Sequence, residues 1–332
     1  MDVRARRFRA RDGILALLIA LVIVVVCAGP SIRHSANEMD AGWQRDLVMV
    51  FAKPAGAIGD ALPFAGWVHH VTGWLSPDED LGGAGGFVAS GAPAAGAGAN
   101  AVAPVGPDAF TRAQLGLPPA PKRPLHTLLV TGDSMSMPLD AVLARRLASD
   151  GVKTLRESHI GTGISKSDLL DWGKLATKQA AEDPDAVVVF IGANEGFPFP
   201  PARKGAKPIE CCGADWAAVY ASRARQMMNT YRRNGATRVY WLALPLPRDP
   251  ARQKIARTVN AAVAVAAEPY RSQVHVLDLA DLFTPGGRYR VSMEVDGRET
   301  VVREPDGVHL NDAGSQLAAD AVQRALDADF TT

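Results

Sequence analysis

Four short stretches of the chain carry side chains able to do covalent chemistry, and together their residue types point to one reaction class. Thr131-Gly132-Asp133-Ser134 ends in a hydroxyl behind a glycine turn. A serine hydroxyl is a weak nucleophile and needs a base within hydrogen-bond reach. Asp306-Gly307-Val308-His309 supplies an imidazole suited to that work near neutral pH. Its carboxylate, three residues earlier, can turn back onto the other ring nitrogen and fix the tautomer. His159-Ile160-Gly161-Thr162-Gly163 brings glycines, whose N–H groups can approach a ligand closely. Gly192-Ala193-Asn194-Glu195-Gly196 brings an amide able to donate to a developing oxyanion. A nucleophile, a base, an orienting acid and oxyanion donors are the parts of serine-mediated acyl transfer. Taken singly, each stretch has an ordinary reading: a helix cap, a glycine turn, a turn-forming Asn, a solvated loop His.

Such chemistry requires the four stretches at one edge of a scaffold. From about Leu125, short apolar, β-branched runs alternate with helical stretches. Strands are expected at Thr127–Thr131, Val152–Arg156, Ala186–Ile191, Arg238–Leu244 and Val274–Leu279. Helices are expected near Pro138–Ser149, Lys166–Glu182, Asp215–Asn234 and Ala251–Ala267. Continuously apolar strands separated by helices imply a parallel sheet covered on both faces. Five of them make a three-layer, doubly wound α/β/α domain, whose ligands bind where strands end at their carboxyl edge. Each of the first three chemical stretches directly follows a strand. Asp296-Gly297, between Tyr289–Val295 and Arg298–Arg303, predicts a type I′ hairpin. Asn311 is a good N-cap for a last helix running to about Leu326.

With this placement the sequence resembles the SGNH/GDSL hydrolase superfamily. The four blocks read GDS (132–134), the glycine of GTG (161–163), GAN (192–194) and DGVH (306–309). The resemblance covers roughly residues 124–328. TGISKSDLLDW (162–172), with GANEG, is similar to an exported bacterial branch catalogued as a domain of unknown function. The resemblance implies a flavodoxin-like three-layer fold, Ser134 as nucleophile, His309 as base and Asp306 as its orienter. It implies oxyanion donors from the Ser134 N–H, the Gly163 N–H (with Gly161 as the fallback) and the Asn194 side chain, and no cofactor or metal. The third block of the family usually ends in Asp, where this chain has Glu195. We take Glu195 and His159 as candidate substrate contacts, and Glu195 also as a residue that alters how its loop is braced.

Other polar residues read as structural. His275 alternates with Val274 and Val276 in a strand, as a packed histidine does. Cys211 and Cys212 read as free thiols, with a vicinal disulfide as the alternative in an oxidising compartment. No cysteine or histidine spacing fits zinc. Phe197–Gly213, with four prolines, is a long insertion that could cover a pocket.

The N-terminus gives the location. Arg4, Arg6, Arg7, Arg9 and Arg11 precede the apolar run Ile14–Ala28, closed by Gly29-Pro30. A basic flank before an apolar core is a signal anchor or a signal peptide, and it stays cytoplasmic while the rest is exported. We therefore divide the chain into a cytoplasmic flank (1–12), a span or signal (13–30) and a helical juxtamembrane segment (31–81). A Gly/Ala/Pro-rich linker (82–123) and the hydrolase domain (124–332) follow. An uncleaved anchor in the inner membrane is favoured over a cleaved, periplasmic or secreted form, because no polar stretch precedes the cleavage-like Val26-Cys27-Ala28. Of 332 residues, 36 are Lys or Arg and 35 Asp or Glu, which excludes a basic nucleic-acid footprint. The expected partners are the membrane, an acylated carbohydrate or other ester, and a membrane acyltransferase. The expected activity is an exported esterase on small acyl groups, chiefly O-acetyl, of envelope carbohydrate. An O-acyltransferase, a lipase or thioesterase, and a non-catalytic binding protein of this fold are the alternatives.

Overall fold

The computed structural model describes residues 106–331 apart from 202 and 204. The expected flank, span and juxtamembrane segment, and the linker before 106, lie outside the described residues. Among the described residues no helix is long and apolar enough to cross a membrane.

The chain enters through a short parallel pairing of β1 (Arg123–Pro124) with β9 (Phe330–Thr331). A five-stranded parallel sheet follows in the order β3-β2-β4-β5-β6. Its strands are β2 (Thr127–Gly132), β3 (Lys153–Ser158), β4 (Ala186–Phe190), β5 (Arg238–Leu242) and β6 (Val274–Leu277). Burial explains this order. Every residue of central β4, Ala-Val-Val-Val-Phe, is buried, whereas edge strand β3 carries Lys153, Glu157 and other exposed side chains. Helices α1 (Ser136–Leu147), α2 (Trp172–Ala180), α3 (Ala214–Tyr231), α4 (Pro250–Ala267), short α5 (Leu279–Phe283) and α6 (Asp312–Asp329) connect and cover the strands. Trp172, Trp216 and Trp241 are wholly buried, as are Val187, Val188 and Val189. Each valine of this kind contributes about 1.5–3 kcal/mol through removal of apolar surface from water.

Three local expectations need correction. The helix expected from Lys166 starts at Trp172, because the Asp171 carboxylate accepts from Gly173 and Lys174 N–H and caps it there. Residues 163–170 are a loop held from outside, as described below. The stretch 106–123, expected as linker, is attached to the domain. Asp108 pairs with Arg232 at 3.0 Å and accepts from Gln273 Nε2 at 2.7 Å. The hairpin β7 (Ser292–Val295) and β8 (Arg298–Val301) turns through Asp296 and Gly297, both at positive φ (51° and 74°), as a type I′ turn requires. Asn311 caps α6 by accepting from Gly314 N–H. Cys211 and Cys212 are joined in a vicinal disulfide, so the free-thiol reading is replaced by its alternative.

Candidate active site

The first strand delivers Ser134. Gly132 leaves β2 at φ 152°, and a Cβ there would sit 1.9 Å from the Phe190 carbonyl oxygen of β4. Only glycine lets the two strand ends approach this closely. Asp133, fully buried, then ties the turn to the third block. One of its carboxylate oxygens accepts from Gly192 N–H (2.9 Å), Ala193 N–H (2.7 Å) and the Asn194 amide (3.4 Å). The other accepts from Met135 N–H at 3.0 Å. Burial raises the Asp133 carboxyl above the ordinary range, against the pull of these backbone hydrogen bonds.

The last loop delivers the imidazole. His309 Nε2 lies 2.8 Å from Ser134 Oγ, and His309 Nδ1 lies 2.6 Å from Asp306 Oδ2. The other Asp306 oxygen accepts from Val308 N–H (2.8 Å) and His309 N–H (3.1 Å), so the carboxylate organises the loop and orients the ring. Partial burial pushes the Asp306 carboxyl up. The hydrogen bonds from the His309 ring and from Val308 and His309 N–H outweigh this, and the net shift is downward.

Beneath the loop sits Arg303, 2% exposed, which the sequence reading did not single out. Its guanidinium donates to the Val308 carbonyl at 3.0 Å and the Leu246 carbonyl at 3.1 Å, between the rings of Phe283 and Tyr289. Burial lowers its pKa to about 10, still well above neutral pH. Arg303 therefore pins the loop that carries the imidazole.

The second and third blocks touch. A Cβ on Gly163 would lie 3.0 Å from the Asn194 carbonyl oxygen and 3.1 Å from Glu195 Oε1, whereas one on Gly161 would meet nothing within 4 Å. Of the two glycines, Gly163 is the one packed against Asn194. Glu195 corrects one expectation: it is 6% exposed and its oxygens are engaged within the protein. Oε1 accepts from Ile164 N–H (2.6 Å) and the Tyr220 hydroxyl (3.2 Å). Oε2 accepts from Ser165 N–H (2.8 Å) and the Ser165 hydroxyl (2.5 Å). A carboxylate so enclosed has no free face for a substrate. It is a brace that reaches Ile164 and Ser165.

His159 joins the site through its backbone, donating to the Gly132 carbonyl at 2.8 Å. Its ring stands edge-on to Trp172 at 5.7 Å, and burial lowers its pKa. His275 stacks on Tyr240 at 5.5 Å with Nε2 3.2 Å from Asp329, as a packed histidine should. The insertion after the third block folds back through a Phe199–Ile209 bridge, and Phe199 packs on Trp216. With Ser165, Lys166 and Asp168 it lines a groove of about 380 Å³. Ser134, Asn194 and His309 are not among the groove's lining residues.

No curated protein matches the chain. Solved structures with a similar backbone include the C-terminal catalytic domain of peptidoglycan O-acetyltransferase A from Streptococcus pneumoniae. It has 13% identity and a TM-score of 0.37, over 62% of this chain and 94% of that one. A member of the lipolytic G-D-S-L family from Veillonella parvula has 13% identity and a TM-score of 0.39, over 60% and 97%. A family two carbohydrate esterase from Clostridium thermocellum, in complex with cellohexaose, has 14% identity and a TM-score of 0.40, over 63% and 66%. Residues 127–325, which hold all four blocks, match the family described as protein of unknown function (DUF459), and the chain belongs to that family.

Proposed function

We propose that this protein is a serine esterase or acyltransferase acting on small acyl esters, foremost O-acetyl groups, of cell-envelope carbohydrate. The observation that carries the reading is the continuous relay Ser134 Oγ–His309 Nε2 (2.8 Å) and His309 Nδ1–Asp306 Oδ2 (2.6 Å). In this reading His309 takes the Ser134 proton as the oxygen attacks the ester carbonyl carbon. The oxyanion is received by the Ser134 and Gly163 N–H groups and the Asn194 amide. Collapse expels the alcohol, which takes the proton from His309 and leaves an acyl-serine. Water or a sugar hydroxyl then gives His309 its proton, attacks the acyl carbon and releases Ser134. Each oxyanion donor is worth about 10²–10³ in rate.

The carbohydrate part of the reading draws on the groove beside the Gly163 loop. Two aromatic rings, Phe197 and Phe199, face Lys166 and Asp168 there, and an aromatic face beside polar groups is a surface on which a sugar ring can stack. The envelope location draws on the five arginines before Ile14–Ala28. Ser134→Ala should abolish hydrolysis of p-nitrophenyl acetate, by about 10⁴-fold or more, and block fluorophosphonate labelling while the melting temperature holds. Unchanged turnover in the folded variant refutes the assignment. An ester chain-length series separates acetyl from long-chain preference. Release of acetate against transfer to an added glycan separates esterase from acyltransferase.

A further inference from the structure

Two guanidinium groups at the mouth of the candidate site take no part in the relay. Arg248 follows β5 at the carboxyl edge and donates its backbone N–H to the Gly307 carbonyl at 2.8 Å. Its side chain runs over Gly307. A Cβ built on that glycine would lie 2.7 Å from Arg248 Cβ, 3.0 Å from Nε and 3.3 Å from Cζ. Gly307 sits between Asp306 and His309, so the Arg248 charge is beside the base loop. Arg252, one helical turn on, places Nη1 3.4 Å from the carbonyl of Ala193, the neighbour of Asn194. The pair therefore reaches from the histidine loop to the asparagine loop along one side of the site.

Both side chains are exposed, and among the described residues neither has a carboxylate at ion-pair distance. The acid that follows Arg248 in sequence and the acid next to Gly307 are both occupied. Asp249 caps α4 by accepting from Arg252 N–H, and Asp306 serves the His309 ring and two backbone N–H groups. The segment 248–257 holds Arg248, Arg252, Lys254 and Arg257 against Asp249 alone. A guanidinium is a planar fork that matches carboxylate and phosphate oxygens two at a time.

We infer that Arg248 and Arg252 form an anion subsite at the mouth of the active site, and that the acylated carbohydrate carries a carboxylate or phosphate close to the ester. This rests on the ester reading above and narrows its substrate to an acidic glycan. Arg248 and Arg252 contact the loops that carry His309 and Asn194, so an anion seated there positions the ester relative to Ser134.

Binding to the Ser134→Ala protein tests this without turnover. The probes are an O-acetylated polyuronate oligosaccharide, an O-acetylated phosphodiester-linked glycan and an O-acetylated neutral xylo-oligosaccharide, measured by calorimetry. One of the two acidic probes should bind about tenfold more tightly than the neutral one, and which of them does so identifies the anion. Arg248→Gln and Arg252→Gln should each remove most of that ratio, and lysine at either position should retain more of it than glutamine. Arg257→Gln, whose guanidinium bonds Gly287 instead, should leave the ratio intact. Equal affinity for acidic and neutral probes overturns the subsite, as does an equal loss on both probes in the arginine variants. An inactive parent protein overturns the ester reading, while the binding ratio still decides the subsite.

Discussion

His309 holds two partners at once, and Asp306 holds three donors. Because one Asp306 oxygen meets the ring and the other meets two backbone N–H groups, the acid and the base form a unit. Losses from such units are strongly non-additive. Replacing His309 with alanine should remove nearly all serine-dependent turnover, and adding Asp306→Asn to it should cost little more. Multiplicative losses in the double variant would mean that the carboxylate shapes only the turn. Stability gives a second readout with a defined sign. The Asp306 carboxyl is held below its ordinary value, so its contribution is present above about pH 3.8 and is lost as pH falls through the lower folded value. Asp306→Asn should therefore flatten the acid side of the melting profile and lower the melting temperature at neutral pH. Ser134, Asp306 and His309 could be picked out only as a set, because four short motifs fall in one order at strand ends, and the fold brings these three side chains within hydrogen-bond distance. Asp133 was not legible as an organiser, Glu195 only as altering the bracing of its own loop, and Arg303 not at all. Their partners lie 59, 31 and 57 residues away at Gly192, Ile164 and Leu246, and only the folded sheet edge brings them together.

At the scale of elements, the loops depend on one another more than on their own strands. The segment 163–165 has its shape because Glu195, from the next strand's loop, accepts its N–H groups and in turn accepts from Tyr220 on α3. Gln at this position offers the same length with one donor in place of an acceptor, so one of the two loop N–H groups must face another N–H. Glu195→Gln should therefore lower kcat about 10- to 100-fold with KM little changed, as a displaced oxyanion donor does. Tyr220→Phe leaves both loop contacts and should lower melting temperature more than kcat. If the two variants lose kcat in proportion to their melting temperatures, Glu195 is a structural residue only. The apolar strands, the hairpin turn and the Asn311 cap were readable because burial and turn chemistry act locally. The start of α2 was misplaced at Lys166 because the Asp171 cap competes with an uninterrupted helical composition, and a loop held by a distant acid leaves no periodic trace.

For the molecule as a whole, the described chain begins at the amino edge of the sheet. Asp108 is clasped by Arg232 and Gln273, and β1 pairs with β9, where the domain also ends. If residues 13–30 anchor the protein as their sequence suggests, it should fractionate with membranes and resist carbonate extraction. Protease added to spheroplasts should then cut before residue 106 and release an active soluble domain. Protection of that domain in intact spheroplasts would place it on the wrong side. The loops that carry Ser134, Asn194 and His309 lie at the other edge, beyond strands of up to six residues, about 20 Å away at ~3.3 Å per residue. A pull at residue 106 would thus meet the Asp108 clasp and then the β1–β9 pair before it reached Ser134 along the chain. Load would be borne at one edge of the sheet and the Ser134–His309 contact held at the other.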